Sequence, residues 1–128
     1  MINELISISS PIREKNIFFV WPEGIIPNTY EDQLDLYNDI FEKYFNENHL
    51  IGLGITSRKN LDDNYNYYNS FSVFDNKLNL IDNYNKIKLV PFGEFVPFED
   101  ILNKFGLKTI TNNIGSFDKG VNLSLIHI

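Results

Sequence analysis

The chain has 128 residues, 43% hydrophobic and 22% charged, a balance that suits one globular domain spanning residues 1–128 and argues against disorder. Its net charge of −6 and pI near 4.8 argue against a nucleic-acid partner, which needs a basic face, and against simple electrostatic docking on anionic lipid. Cysteine is absent, so these residues supply no disulfide, thiolate metal site or cysteine nucleophile. No apolar run approaches the roughly 18 residues of a membrane span. The opening M-I-N-E-L-I-S-I-S-S is neither basic enough nor apolar for long enough to read as a signal peptide.

In chain order, Leu5, Ile6 and Ile8 suit either a short helix or a strand ending before Pro11. Ile17 to Trp21 is an unbroken apolar run rich in aromatic and β-branched residues, which predicts a strand buried on both faces. Pro22 ends it and Glu23 follows at once, ahead of Gly24 and Pro27. A carboxylate just past the end of a buried strand stands where open α/β sheets bind ligands, although a surface loop acid is the plainer alternative.

Thr29, with Asp32 in the box position, is placed to cap a helix predicted over about Tyr30 to Asn46. Leu34, Tyr37, Ile40, Phe41, Tyr44 and Phe45 recur along it at helical spacing and read as a core stripe. Leu50 to Thr56 reads as a second buried strand, in which Gly52 and Gly54 imply close approach by neighbouring groups. Ser57 to Asn66 reads as a polar loop carrying a solvated Asp62-Asp63 pair. Tyr67 to Phe74 alternates as a strand, Asp75-Asn76 as a turn, and Leu78 to Ile81 as a hairpin partner.

Asn83 to Pro97, N-Y-N-K-I-K-L-V-P-F-G-E-F-V-P, is the densest stretch. The alternation Lys86-Ile87-Lys88-Leu89 predicts a strand end, stopped by Pro91, with Gly93 allowing a tight turn. Glu94 is then displayed on a short stiff loop, with an ordinary strand exit bearing solvated charges as the alternative. Phe98 to Phe105 predicts a short helix with Ile101, Leu102 and Phe105 on one face and Gly106 as its C-cap. Thr109 to Gly120 is polar and turn-rich, and Leu123 to Ile128 begins another strand. This order predicts an α/β fold with a mixed sheet. His49 and His127 lack ligand-like spacing, and no phosphate-cradling glycine loop or serine nucleophile elbow is present. No metal or cofactor is expected.

Two of these stretches, W-P-E-G-I-I-P at Trp21 to Pro27 and Y-N-K-I-K-L-V-P-F-G-E-F-V-P at Tyr84 to Pro97, resemble motifs of bacterial apolipoprotein N-acyltransferase. Y-N-S at Tyr68 to Ser70, with V-F-D-N after it, and F-D-K-G at Phe117 to Gly120 are similar to further family features in the same order. The resemblance implies a partial nitrilase-like αββα sandwich and a Glu-Lys-Cys triad. It places Glu23 at the general base, Lys86 at the lysine that stabilises the oxyanion, and Glu94 at a further essential glutamate. It implies acyl transfer from a phospholipid donor to the N-terminal lipid-modified cysteine of an apolipoprotein acceptor. It also implies a location at the inner membrane, with the domain facing the periplasm and the membrane reached through another part of the protein.

Two departures stand out. Gly24-Ile25 replaces the small-polar-then-alanine pair usual after W-P-E, and the family's nucleophilic cysteine has no counterpart here. The expectation is therefore an internal fragment of the enzyme, inactive alone. The alternatives are a truncated soluble amidase of the wider nitrilase superfamily, against which the P-F-G-E loop argues, and a non-catalytic binding or assembly module.

Overall fold

A computed structural model describes residues 1–61, 64–106 and 116–121. Its elements are α1 (Ile2–Ser9), β1 (Ile17–Trp21), a 3₁₀ helix (Glu31–Tyr37), α2 (Asn38–Tyr44), β2 (His49–Leu61), β3 (Asn64–Phe74), β4 (Leu80–Asn85) and α3 (Glu99–Lys104). The four strands lie side by side in chain order. β1 and β2 are parallel, joined by the helical crossover that parallel pairing requires. β2–β3 and β3–β4 are antiparallel. The predicted α/β fold with a mixed sheet is therefore present, as one helical layer over one sheet face among the described residues.

The core lies between that face and the helices. Ile6 of α1, Leu34, Phe41 and Phe45 pack on Phe19, Trp21, Ile51, Leu53 and Phe74. Phe41 and Phe45 stack with ring centroids 5.3 Å apart, and Phe19 meets Phe45 edge-on at 5.1 Å. The Trp21 indole N–H donates to Ser9 Oγ at 3.0 Å, which ties α1 to the sheet. The first segment, open between helix and strand in the sequence, is thus a helix. His49 is structural: its Nδ1 accepts the Asn46 N–H at 3.2 Å, which leaves Nε2 to donate to the Ile12 carbonyl at 3.0 Å.

Several expectations are corrected. β1 is buried on one face only: Phe19 and Trp21 point into the core, whereas Phe18 and Val20 are 40% and 59% exposed. Among the described residues it is an edge strand, and alternate residues turn away from the helical layer. The single helix over residues 30–46 is instead a 3₁₀ helix running into α2, and Tyr44 is exposed. The tighter 3₁₀ winding buries Leu34 while Glu31 reaches across to Ser72 Oγ and Asn83 Nδ2 on the sheet. The N-terminal box pairs the Tyr30 N–H with Gln33 Oε1 at 3.0 Å rather than Thr29 with Asp32. Asp32 instead accepts from Arg58 Nε at 2.9 Å.

Residues 57–61 and 64–66 are strand rather than loop: β2 and β3 run on in antiparallel pairing, with Arg58 opposite Tyr67 and Leu61 opposite Asn64. Away from the core the alternation signal disappears, and cross-strand packing takes over. The Arg58 guanidinium sits 4.4 Å from the Tyr30 ring centroid and 5.1 Å from that of Tyr65. β4 ends at Asn85, so Lys86 to Leu89 lie just past the strand rather than in it. In the following turn the positive φ falls on Phe92, at 62°, and not on Gly93. α3 forms and Gly106 caps it at φ 77°, yet Ile101 and Phe105 are exposed rather than packed. The expectations for Asp62-Asp63, residues 107–115, His127 and the strand from Leu123 lie outside the described residues.

Truncating the wholly buried ring in Phe41→Ala should cost about 3–5 kcal/mol in urea unfolding, whereas Phe98→Ala on the surface should stay within about 0.5 kcal/mol.

Candidate active site

Glu23 stands two residues past β1, on a turn whose next residue, Gly24, has φ 75°. Its backbone rests on Gly54 of β2. A Cβ at Gly54 would stand 2.6 Å from the Glu23 nitrogen, so only glycine lets the turn lie this close. The glycine signal in the second strand is thereby explained at this position. At Gly52 a Cβ would come within 2.5 Å of the Phe71 ring.

Lys86 is the first residue past β4, and its N–H donates to the Asn69 carbonyl at 2.8 Å, extending the β3 pairing by one bond. Glu94 is not displayed to solvent as the sequence suggested. It is 8% exposed and folded back over its own turn, where Oε2 accepts the Val90 N–H at 2.6 Å. Its Oε1 accepts from Lys86 Nζ at 2.8 Å and from Asn69 Nδ2. A carboxylate leaving water needs such donors, and the turn begun at Phe92 carries it inward to meet them.

The same Asn69 nitrogen donates to Glu23 Oε1 at 2.8 Å. Glu23, Lys86 and Glu94, all singled out in the sequence, are therefore brought together, and the residue that joins them was missed as a site residue. A signal for it existed. In β3, Asn69 shares a phase with Phe71 and Val73, and a polar amide in an otherwise apolar row is out of place unless it has partners.

The F-D-K-G segment braces the group from behind. The Phe117 N–H donates to the Glu94 carbonyl at 2.8 Å and the Gly120 N–H to the Lys86 carbonyl at 3.1 Å. Asp118 pairs with Tyr67 through its N–H and through Oδ2. Gly120 lies so close to Asn85 that a Cβ would stand 2.1 Å from the Asn85 carbonyl oxygen.

Electrostatics follow from these contacts. Burial alone would raise the Glu94 carboxyl, but the hydrogen bonds from Lys86, the Val90 N–H and Asn69 outweigh it and hold the group below the usual glutamate range. The bond to Glu94 raises Lys86 above the usual lysine value, with the Glu23 charge adding to the effect. The site opens onto a cavity of about 700 Å³ on the sheet face away from the helices. Val20, Phe71, Tyr84 and Ile87 give it apolar walls, and Glu23, Asn69 and Lys86 a polar end. Among the described residues no group of His, Asp and Glu side chains is arranged to hold a metal ion, and no helix is long and apolar enough to cross a membrane.

The site of this α/β chain is thus a lysine bridged to a buried carboxylate, with a second carboxylate beside them, at the polar end of an apolar cavity. No family model matches the sequence. Individual proteins do. The chain is 33% identical over 109 residues to apolipoprotein N-acyltransferase of Rhizobium leguminosarum and 34% over 117 to that of Sinorhizobium fredii, in each case across 84% of this chain and 20% of the relative. The Brucella suis enzyme is 31% identical over 102 residues. The resemblance carried by the W-P-E and L-V-P-F-G-E-F-V-P motifs is thus borne out: this chain is related to a segment of apolipoprotein N-acyltransferase. It spans about a fifth of the length of the curated relatives it matches. Among solved structures, an N-terminal amidase with an Asn-Glu-Ala peptide covers 70% of this chain and 23% of its own, at 18% identity and a TM-score of 0.43, a superposition too loose to build on.

Two outcomes are expected. Gly54→Ala should destabilise the chain by about 1–3 kcal/mol in urea unfolding, because a methyl group there displaces the Glu23 backbone. Glu94→Gln should show a pH-dependent deficit. The folded Glu94 titrates below its reference of 4.5, so its contribution is complete above that value and lost as pH falls through the lowered one. Lys86 titrates above its reference of 10.5, so its contribution is complete below that value and lost as pH rises through the raised one. Urea midpoints should separate wild type from Glu94→Gln at neutral pH and converge in acid.

Proposed function

We propose that this chain is part of an apolipoprotein N-acyltransferase, in which it supplies the base and the oxyanion-stabilising cation of a Glu-Lys-Cys triad. The observation that carries the reading is the meeting of Glu23, Lys86 and Glu94, from two separate stretches, around Asn69 of a third, at the polar end of an apolar cavity. The sequence has no cysteine, so the thiol comes from outside these 128 residues.

In the proposed reaction Glu23 takes the thiol proton and the thiolate attacks the ester carbonyl of a phospholipid. The Lys86 ammonium stabilises the oxyanion of the tetrahedral intermediate. Collapse breaks the ester bond, the lysophospholipid alkoxide takes the proton back from Glu23, and the acyl chain remains as a thioester. The α-amino group of the lipid-modified cysteine of an apolipoprotein then attacks the thioester, with Glu23 accepting the amine proton, and the amide forms as the thiol is released. Glu94 holds Lys86 in place while the site waits for substrate. The apolar walls of the cavity suit an acyl chain. Residues elsewhere in the protein anchor it to the inner membrane, with this domain on the periplasmic side.

The test is a graft of residues 17–120 in place of the matching segment of the Rhizobium leguminosarum relative. The graft should acylate a diacylglyceryl-cysteine peptide from phospholipid. Lys86→Met within it should lower the rate about 10²–10³-fold and Glu23→Gln about 10²–10⁴-fold. The 128-residue chain alone should give no product. Full activity of the Lys86→Met graft, or acylation by the isolated chain, would overturn the reading.

A further inference from the structure

We propose that Asn69 is the positioning residue of this site: its side-chain nitrogen spaces the two carboxylates and assigns Lys86 to Glu94 rather than to Glu23. An amide nitrogen carries two N–H groups, and here each has a carboxylate oxygen, Glu23 Oε1 and Glu94 Oε1. No other small side chain matches this. Serine offers one donor and an ionised aspartate none. The opposite amide orientation would aim a carbonyl oxygen at two carboxylates, so the surroundings fix the assignment.

Placement strengthens the case. Asn69 is 6% exposed and lies in β3, paired on one side with Thr56 of β2, while its own carbonyl accepts the Lys86 N–H at 2.8 Å on the other. One residue thus fixes where Lys86 leaves the sheet and where both acids stop. With a common nitrogen, the two Oε1 atoms lie at most about 5.3 Å apart, close enough for like charges to couple. Lys86 contacts Glu94 at 2.8 Å and is thereby directed to the inner acid. Glu23, whose side chain is the more exposed of the two, keeps Oε2 for a proton; that last role rests on the proposed reaction, whereas the spacing does not.

The test follows the side-chain carboxyl ¹³C signals of glutamate in the full 128-residue chain against pH, so no acyl transfer is required. With Asn69 in place, Glu23→Gln removes one of two coupled charges, and the Glu94 midpoint should fall by a few tenths of a unit to about one unit. In Asn69→Ser the Glu94 midpoint should rise, and in Asn69→Asp the cluster should hold one proton well above the usual carboxylate range. A role confined to packing would change stability and leave these midpoints alone. Should the Asn69 variants fail to fold, Glu23→Gln at the exposed position still decides: an unmoved Glu94 midpoint overturns the proposal. A coupled titration with an inactive graft would leave the positioning role standing and overturn only the proposed reaction.

Discussion

Withdrawing the Glu94 carboxylate from water is the constraint on which the rest of the site depends. A buried carboxylate is tolerable only with donors around it, and Glu94 collects the Val90 N–H, the Asn69 amide and the Lys86 ammonium. Each donor comes from a different level of the structure: its own turn, the strand β3 and the residue just past β4. Meeting all three requires the loop from Val90 to Glu94 to fold inward, with the left-handed conformation at Phe92 as its bend. The Phe117 N–H on the Glu94 carbonyl then holds the loop from its outer side.

Close packing of backbones sets the other half of the site. Gly54 brings the Glu23 turn down onto β2, and Gly120 brings the F-D-K-G segment onto Asn85 beside Lys86. On the opposite face a second polar set, Ser57, Ser70 and Asn85, locks β2, β3 and β4 together, with Ser57 Oγ and Ser70 Oγ 2.6 Å apart and Ser70 donating to Asn85 Oδ1 at 2.7 Å. The middle of β3, which carries Asn69, and the end of β4, just before Lys86, are therefore held from both faces of the sheet. Rigid placement is what a group needs if it is to meet developing charge without reorganising.

The places where the structure departs from the sequence pattern share a cause. Periodicity reports burial against a core, so it located β1 and the apolar stripe of Leu34, Phe41 and Phe45 but overstated both. Phe18 and Val20 belong to an apolar strand yet face away from the helices. Conversely, the far ends of β2 and β3, residues 58–61 and 64–66, have no core to alternate against, and they are held by ladder bonds and by tyrosines packed around Arg58. Glu94 looked exposed because a turn rich in proline and glycine is normally a surface feature. Nothing local reveals that its carboxylate is folded back against partners eight and twenty-five residues away.

The sequence by itself determined the α/β class, the places where strands must stop, and the residues with chemistry to offer: Glu23 after W-P, Lys86 in Y-N-K and Glu94 in P-F-G-E. Those are matters of local sterics and composition, since proline removes a ladder donor and charged side chains seldom follow apolar runs without reason. Tertiary structure alone decided that the three meet, that Glu94 is buried while Glu23 stays open, and that Asn69 stands between them. Hydrogen bonds between strands distant in sequence carry that information, and pairing register, which no single segment encodes, sets which side chains end up within reach.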